Sequence, residues 1–139
     1  MNKNYLFIPG KGNITSGEGP VSIMSFEHCE ECNSGSEFKL GSAVASYITA
    51  TIFTPNNEFS ISEGTELTYF VGDSENYKEI GLYAAERPKR TSRNMMKVIA
   101  YDRMIRFDQD ITKWVNANNF EGYTLYELLK RLCDLVVKI

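Results

Sequence analysis

The longest alternation of apolar and polar positions runs through AVASYITATIFTP, residues 43–55. Ile48, Ala50 and Ile52 fall on one side of it, and Tyr47, Thr49, Thr51 and Phe53 on the other. Successive side chains of a strand point to opposite faces, and β-branched and aromatic residues at period two suit a pleated surface. The spacing therefore predicts a strand, ended by Pro55 and Asn56-Asn57. Other segments carry the same period. NYLFI (4–8) is a short strand, followed by a glycine-rich loop to Pro20. VSIMSF (21–26) sets Val21, Ile23 and Ser25 against Ser22, Met24 and Phe26. EFSISEG (58–64) reads as a short, bulged edge, and TELTYFVG (65–72) sets Leu67, Tyr69 and Val71 against Thr68 and Phe70. DSEN (73–76) is a hairpin turn, because Asp, Ser and Asn side chains hydrogen-bond their own backbone there. The return strand YKEIGLYAAER (77–87) closes at Pro88. A basic loop, KRTSR (89–93), leads into NMMKVIAYDRMIRF (94–107), strand-like through Tyr101.

The period then changes. DQDITKWVNANNF (108–120) suits a short helix or a connector. In TLYELLKRLCDLVV (124–137), Thr124 and Glu127 form a capping box, and Leu125, Leu128, Leu129, Leu132, Cys133 and Val136 form one apolar stripe at helical spacing. The outline is mainly β (α+β): five to seven strands and a terminal helix, a small barrel or sandwich. It forms one domain over 1–139, with the β portion at 1–107 and the connector and amphipathic helix at 108–139.

Composition narrows this little. The hydrophobic share of 42% and charged share of 24% are those of an ordinary soluble globular chain, and a net charge of −3 does not mark a general polyanion binder. The placement of charge says more. Arg87, Lys89, Arg90, Arg93, Lys97, Arg103 and Arg106 supply seven of the fifteen basic residues, so the rest of the chain is acidic. No apolar run approaches the ~20 residues of a membrane-spanning helix. The apolar stretch before Pro9 falls short of the ~7–15 residues of a secretory signal core. Three cysteines in such a chain read as reduced thiols in a cytoplasmic setting.

Open chemistry concentrates in FEHCEECNSGSEF (26–38), which holds the single histidine, His28, with Cys29 and Cys32. A structural zinc site usually takes two separated ligand pairs, and the second pair is missing. Cys133 lies on the apolar helix stripe, where a free cysteine behaves as a small hydrophobe. Glu27, Glu30 and Glu31 disfavour the thiolates that redox work needs. The segment thus reads as a linker shaped by Asn33 and Gly35, with a metal shared between subunits through His28, Cys29 and Cys32 as the surviving metal option. No nucleophile–base pair stands out. Asp102 with Asp108 or Asp110 has plain roles at strand ends and caps, and no phosphate-loop, dinucleotide or zinc-protease pattern is present. No catalytic residue and no cofactor are expected. ERPKRTSR lacks the aromatic platform of an RNA-binding sheet.

The order of the blocks CEECNSGSEFKLGSAVASYITATIF, YKEIGLYAAERPKR and MKVIAYDRMIRFDQDI resembles the N-terminal tube domain of phage tail hub proteins, the baseplate hub or tail-tip proteins of phages and prophages. The matching positions are Gly41, Ser42, Ala45 and Ser46, then Gly81, Leu82, Tyr83 and Pro88, then Ala100, Tyr101, Asp102 and Met104, then the helix YTLYELLKRLCDLV. Leu82 stands where the family has an aromatic. The resemblance implies a six-stranded, Greek-key-like barrel of the tail-tube type with a C-terminal helix, and a chain that is a fragment of a longer hub protein. It also implies a structural role in the virion tail, after a cytoplasmic stage before assembly. The hub would self-associate as a trimer, contact tail-tube and distal tail proteins and pass DNA through its ring as cargo, with no membrane partner and no catalysis. The residues assigned to contacts are Arg87, Lys89, Arg90 and Arg93, facing an acidic neighbour. Two other readings stand beside it: a small split-barrel cofactor-binding protein, and a metal-stabilised interaction module using His28, Cys29 and Cys32.

Overall fold

Strand β4 (Tyr47–Phe53) shows how the alternation becomes a wall. Ile48, Ala50 and Ile52 are buried inside and Tyr47, Thr49, Thr51 and Phe53 lie half-buried outside, as their spacing predicts. The computed structural model describes residues 2–30, 45–56, 58–73, 75–107 and 111–138. Cys32, the turn at 33–37, Gly41, Ser42, the first residues of the predicted 43–55 strand, Ser74, Asp108 and Asp110 lie outside the described residues. The chain divides into two compact units, Met1–Arg103 and Met104–Ile139.

The first unit is a closed β-barrel. With β1 (Lys3–Ile8), β2 (Gly12–Ser16), β3 (Ser22–Cys29), β5 (Glu66–Gly72), β6 (Tyr77–Ala85), β7 (Lys89–Ser92) and β8 (Met95–Tyr101), the strand order is β4-β3-β2-β1-β5-β6-β8-β7. A pairing of β4 with β8 closes the ring, so seven strands make the wall and β7 lies beyond it. Closure removes the free edges of an open sheet. Inside are Leu6, Ile8, Ile14, Ile23, Ile48, Ile52, Leu67, Met96 and Val98, completed by Ala50, Ala85 and Ala100 and by Tyr69 and Tyr83. Burying each large aliphatic side chain contributes roughly 1.5–3 kcal/mol, and this core holds the unit together.

The ring gains its seventh strand from β2, in the segment expected to be a loop. Gly10 and Gly12, both at positive φ, turn the chain so that Ile14 enters the core. The β3 alternation also departs from expectation. A bulge between Ile23 and Ser25 leaves Met24 exposed and shifts the inward set, so Phe26 packs on the core and Ser25 is exposed. Strand β3 then continues through Cys29, so Phe26–Cys29 is wall and not linker. EFSISEG forms no strand; it belongs to the connection that brings the chain from β4 back beside β1.

KRTSR is likewise a strand and a turn in place of a loop. β6 pairs β8 at Ala84–Tyr101 and Ala85–Ala100, the Glu86 N–H donates to Ile99 O at 2.8 Å, and β7 resumes on the same strand at Lys89–Lys97. Pro88 has no N–H to offer, and the register slips by one residue across the break. The β5–β6 turn is built as its sequence predicts. The Asp73 carboxylate accepts hydrogen bonds from the backbone N–H groups of Asn76 and Glu75, at 2.8 and 3.0 Å.

The second unit holds a 3-10 segment (Arg103–Phe107 as a whole, from Met104 on in this unit), helix α1 (Thr112–Ala117) and helix α2 (Leu125–Lys138). The capping box is formed reciprocally: Thr124 N–H and Oγ1 donate to the Glu127 carboxylate, and Glu127 N–H donates to Thr124 Oγ1. Those bonds hold the Glu127 carboxyl below the usual range. Of the apolar stripe, Val136 is buried, Leu128 and Leu132 are half-buried, and Leu125 and Leu129 are exposed.

Candidate functional site

Three groupings of side chains in the barrel unit carry polar chemistry. The first surrounds His28. In a strand, adjacent residues point to opposite faces, so His28 and Cys29 cannot chelate one ion from β3. His28 turns inward beside Phe26; its ring meets Tyr69 and Tyr83 edge-on, with centroids 5.3 and 5.9 Å away. Its Nε2 shares a 2.9 Å hydrogen bond with the Tyr83 hydroxyl and lies 3.5 Å from the Glu30 carboxylate. The Ser46 side chain interacts with Tyr83, and its Oγ donates to Asp102 at 2.8 Å. Ser46 N–H donates to the same carboxylate at 3.1 Å, and Asp102 N–H donates to Ser46 O at 2.9 Å. Burial raises the Tyr83 pKa, the Ser46 interaction opposes that, and the Glu30 and Asp102 charges add to it. Tyr69, also raised chiefly by burial, donates to Asn4 Oδ1 at 2.9 Å.

This chain of contacts includes a serine, a histidine and an aspartate, but their order is not that of a nucleophile and base. Ser46 gives its proton to Asp102, and His28 reaches Ser46 only through Tyr83. It works as a polar staple across β3, β6 and the ends of β4 and β8. Among the described residues no group of three or more His, Cys, Asp or Glu converges on a metal position.

The second grouping is the basic arm. Every residue of β7 is exposed, and among the described residues β7 pairs only with β8. Arg90 is committed within the fold. Its guanidinium donates to Thr54 Oγ1 at 3.0 Å, to Phe59 O at 2.8 Å and to Arg93 O at 3.3 Å, fastening the arm to the β4–β5 connection. Arg87, Lys89 and Arg93 are exposed and form no ion pair among the described residues. Lys97, on β8, joins them from directly across the ladder from Lys89. Like charges placed opposite each other destabilise a strand pair. Between residues 84 and 101 the single acidic residue is Glu86.

The third grouping was not anticipated. On the outer face of β2, β1, β5 and β6, a groove of about 600 Å³ is lined by Tyr5, Phe7, Asn13, Glu18, Phe70, Asp73 and Tyr77. Tyr77 stands edge-on to Phe70 at 5.6 Å and tilted to Tyr5 at 6.2 Å, and it is 62% exposed. The two carboxylates flank the start of β1: Glu18 follows β2 and binds Lys3, and Asp73 follows β5. Its bonds to Asn76 and Glu75 N–H hold Asp73 below the usual carboxylate range, so it stays ionised. The signal in the sequence was NYLFI itself, whose aromatic Tyr5 and Phe7 alternate with Leu6 and Ile8, an apolar pattern on both faces.

No family model matches the chain, and a search of curated proteins finds no match either.

Proposed function

We propose that this chain is a structural, self-associating barrel: the tube-type domain of a phage or prophage tail hub, serving as an adaptor between tail tube and tip. The observation that carries the reading is the arm. A closed barrel has no free strand edge, yet β7 keeps one, fully exposed and set among cations with no ion-pair partner among the described residues. Such a feature serves contact with another macromolecule better than it serves catalysis.

The residues of the resemblance have architectural duties, which suits a family carried by motif order. Ser46 bonds Asp102 and ties β4 to the end of β8. Gly81 lies under the Tyr83 ring, where an added Cβ would approach to 3.3 Å. Pro88 marks the break before the arm. The return from β4 to lie beside β1 supports a Greek-key-like connection on this reading, although β2 and β3 pair parallel. On this reading the barrels assemble as rings of a trimeric hub, tail-tube and distal tail proteins are the neighbours, and DNA passes through the ring as cargo. The test is proteomic. Phage-like particles purified from the organism that encodes the chain should contain it in stoichiometric amount with tail proteins. Its absence from such particles, with the protein found free, would overturn the reading.

A further inference from the structure

The groove and the arm occupy different parts of one closed ring: the groove centres on β1 and β5, while the arm follows β6 and pairs with β8. They are also offset along the strands, because the groove takes Tyr77 at the start of β6 while the arm departs beyond its end at Ala85. One region presents Arg87, Lys89, Arg93 and Lys97; the other presents Glu18 and Asp73 over four aromatic rings, with no Lys or Arg in the lining. Guanidinium and ammonium groups are drawn to aromatic faces as well as to carboxylates.

We propose that the basic arm of one copy docks in the aromatic, acidic groove of the next copy, a head-to-tail contact. This inference rests on the structural reading above and specifies its interface. Two different complementary surfaces on one subunit generate rings when the rotation closes and filaments when it does not. The occupant is a second copy because the two surfaces are opposite in charge sign, basic on the arm and acidic at the groove. The Lys89–Lys97 opposition, unfavourable within one chain, becomes favourable when a carboxylate rim arrives from a neighbour. Arg90 stays out of the contact, since its guanidinium is already engaged.

The experiment uses the full chain in three forms: wild type, the arm variant Lys89→Glu and the groove variant Tyr77→Lys. Both positions are exposed, and Lys89→Glu sets opposite charges across the ladder from Lys97, so it leaves the Tm unchanged or higher. Light scattering on wild type at low salt should give species larger than a dimer, with the association weakened by about tenfold or more in each variant alone. An equimolar mixture of the two variants retains one intact arm and one intact groove, so it should stop at a dimer. Thermal melts of each variant separate loss of contact from loss of fold. Wild-type oligomers unmoved by either variant would overturn the arm–groove contact while leaving the tail reading intact. A monomeric wild type that binds a DNA duplex through Lys89 would overturn it in favour of a nucleic-acid surface. The tail reading itself fails only through absence from particles.

Discussion

The groove side and the arm side of the barrel handle charge in opposite ways. Around β1 each carboxylate has a task within the fold: Glu18 pairs with Lys3, and Asp73 ties the β5–β6 turn. Around β7 only Arg90 is so employed, while Arg87, Lys89, Arg93 and Lys97 have no ion-pair partner among the described residues. A carboxylate offers several acceptor sites, so Glu18 and Asp73 can serve their own chain and still receive a cation, whereas the Arg90 donors are spent within the fold. A charge held opposite its own kind directs attention to a partner outside the chain.

Substitutions can break this contrast, and the largest effect is expected on the groove side. A Cβ at Gly72 would collide with Asn76 O and lie 2.5 Å from Tyr77 Cα. Gly72→Ala should therefore cost about 3 kcal/mol and displace Tyr77, measured by denaturant unfolding and by loss of self-association. Next comes Arg90→Ala, which strips the arm from Thr54 and Phe59. About 2 kcal/mol of stability should go, with faster amide exchange across β7 and the 54–59 connection. If Arg90→Ala left both unchanged, Arg90 would belong with the free cations and the contrast would dissolve. Smaller again is Thr124→Ala, which removes the α2 cap and should fray the first turn of that helix at about 1 kcal/mol, seen by amide exchange at residues 125–128.

Acidity sharpens the same contrast. The folded-state pKa of Asp73 is depressed, so its contribution is present above the unfolded value and lost as the pH falls through the folded one. The β5–β6 turn should loosen in acid while the β7 arm, whose anchor is an arginine, holds. Nuclear magnetic resonance of the Glu75 and Asn76 amides would follow this. At the alkaline end the raised Tyr69 and Tyr83 act with the other sign. Their contribution is intact below the ordinary tyrosine value of 10.0 and is lost as the pH climbs through their higher folded values.

Strands with one uninterrupted period were readable from the chain. β4 announced both its faces, and the Asp73 turn and the Thr124–Glu127 box carried their chemistry in their residue types. What escaped was whatever depended on a distant partner. β2 is short and glycine-flanked, and Ile14 is its one buried residue, so its strand character comes from the edge that β1 offers. HCEEC reads as a linker from its sequence; the bulge at Met24 and the ladder to β4 make His28 part of the wall and turn it inward to Tyr83. KRTSR looked like a loop because β7 has no apolar alternation, having no core to face. The groove collects residues from four strands and two turns, a set that only the closed ring brings together.

In the proposed assembly the unmatched cations of the arm meet a neighbouring copy. Light scattering on wild type and Lys89→Glu, at equal concentration and low salt, tests it most directly. Wild type should form particles above dimer mass that the substitution shifts toward the 15.8 kDa monomer, with no loss of Tm. Identical masses for the two proteins, whether both assembled or both monomeric, would contradict it.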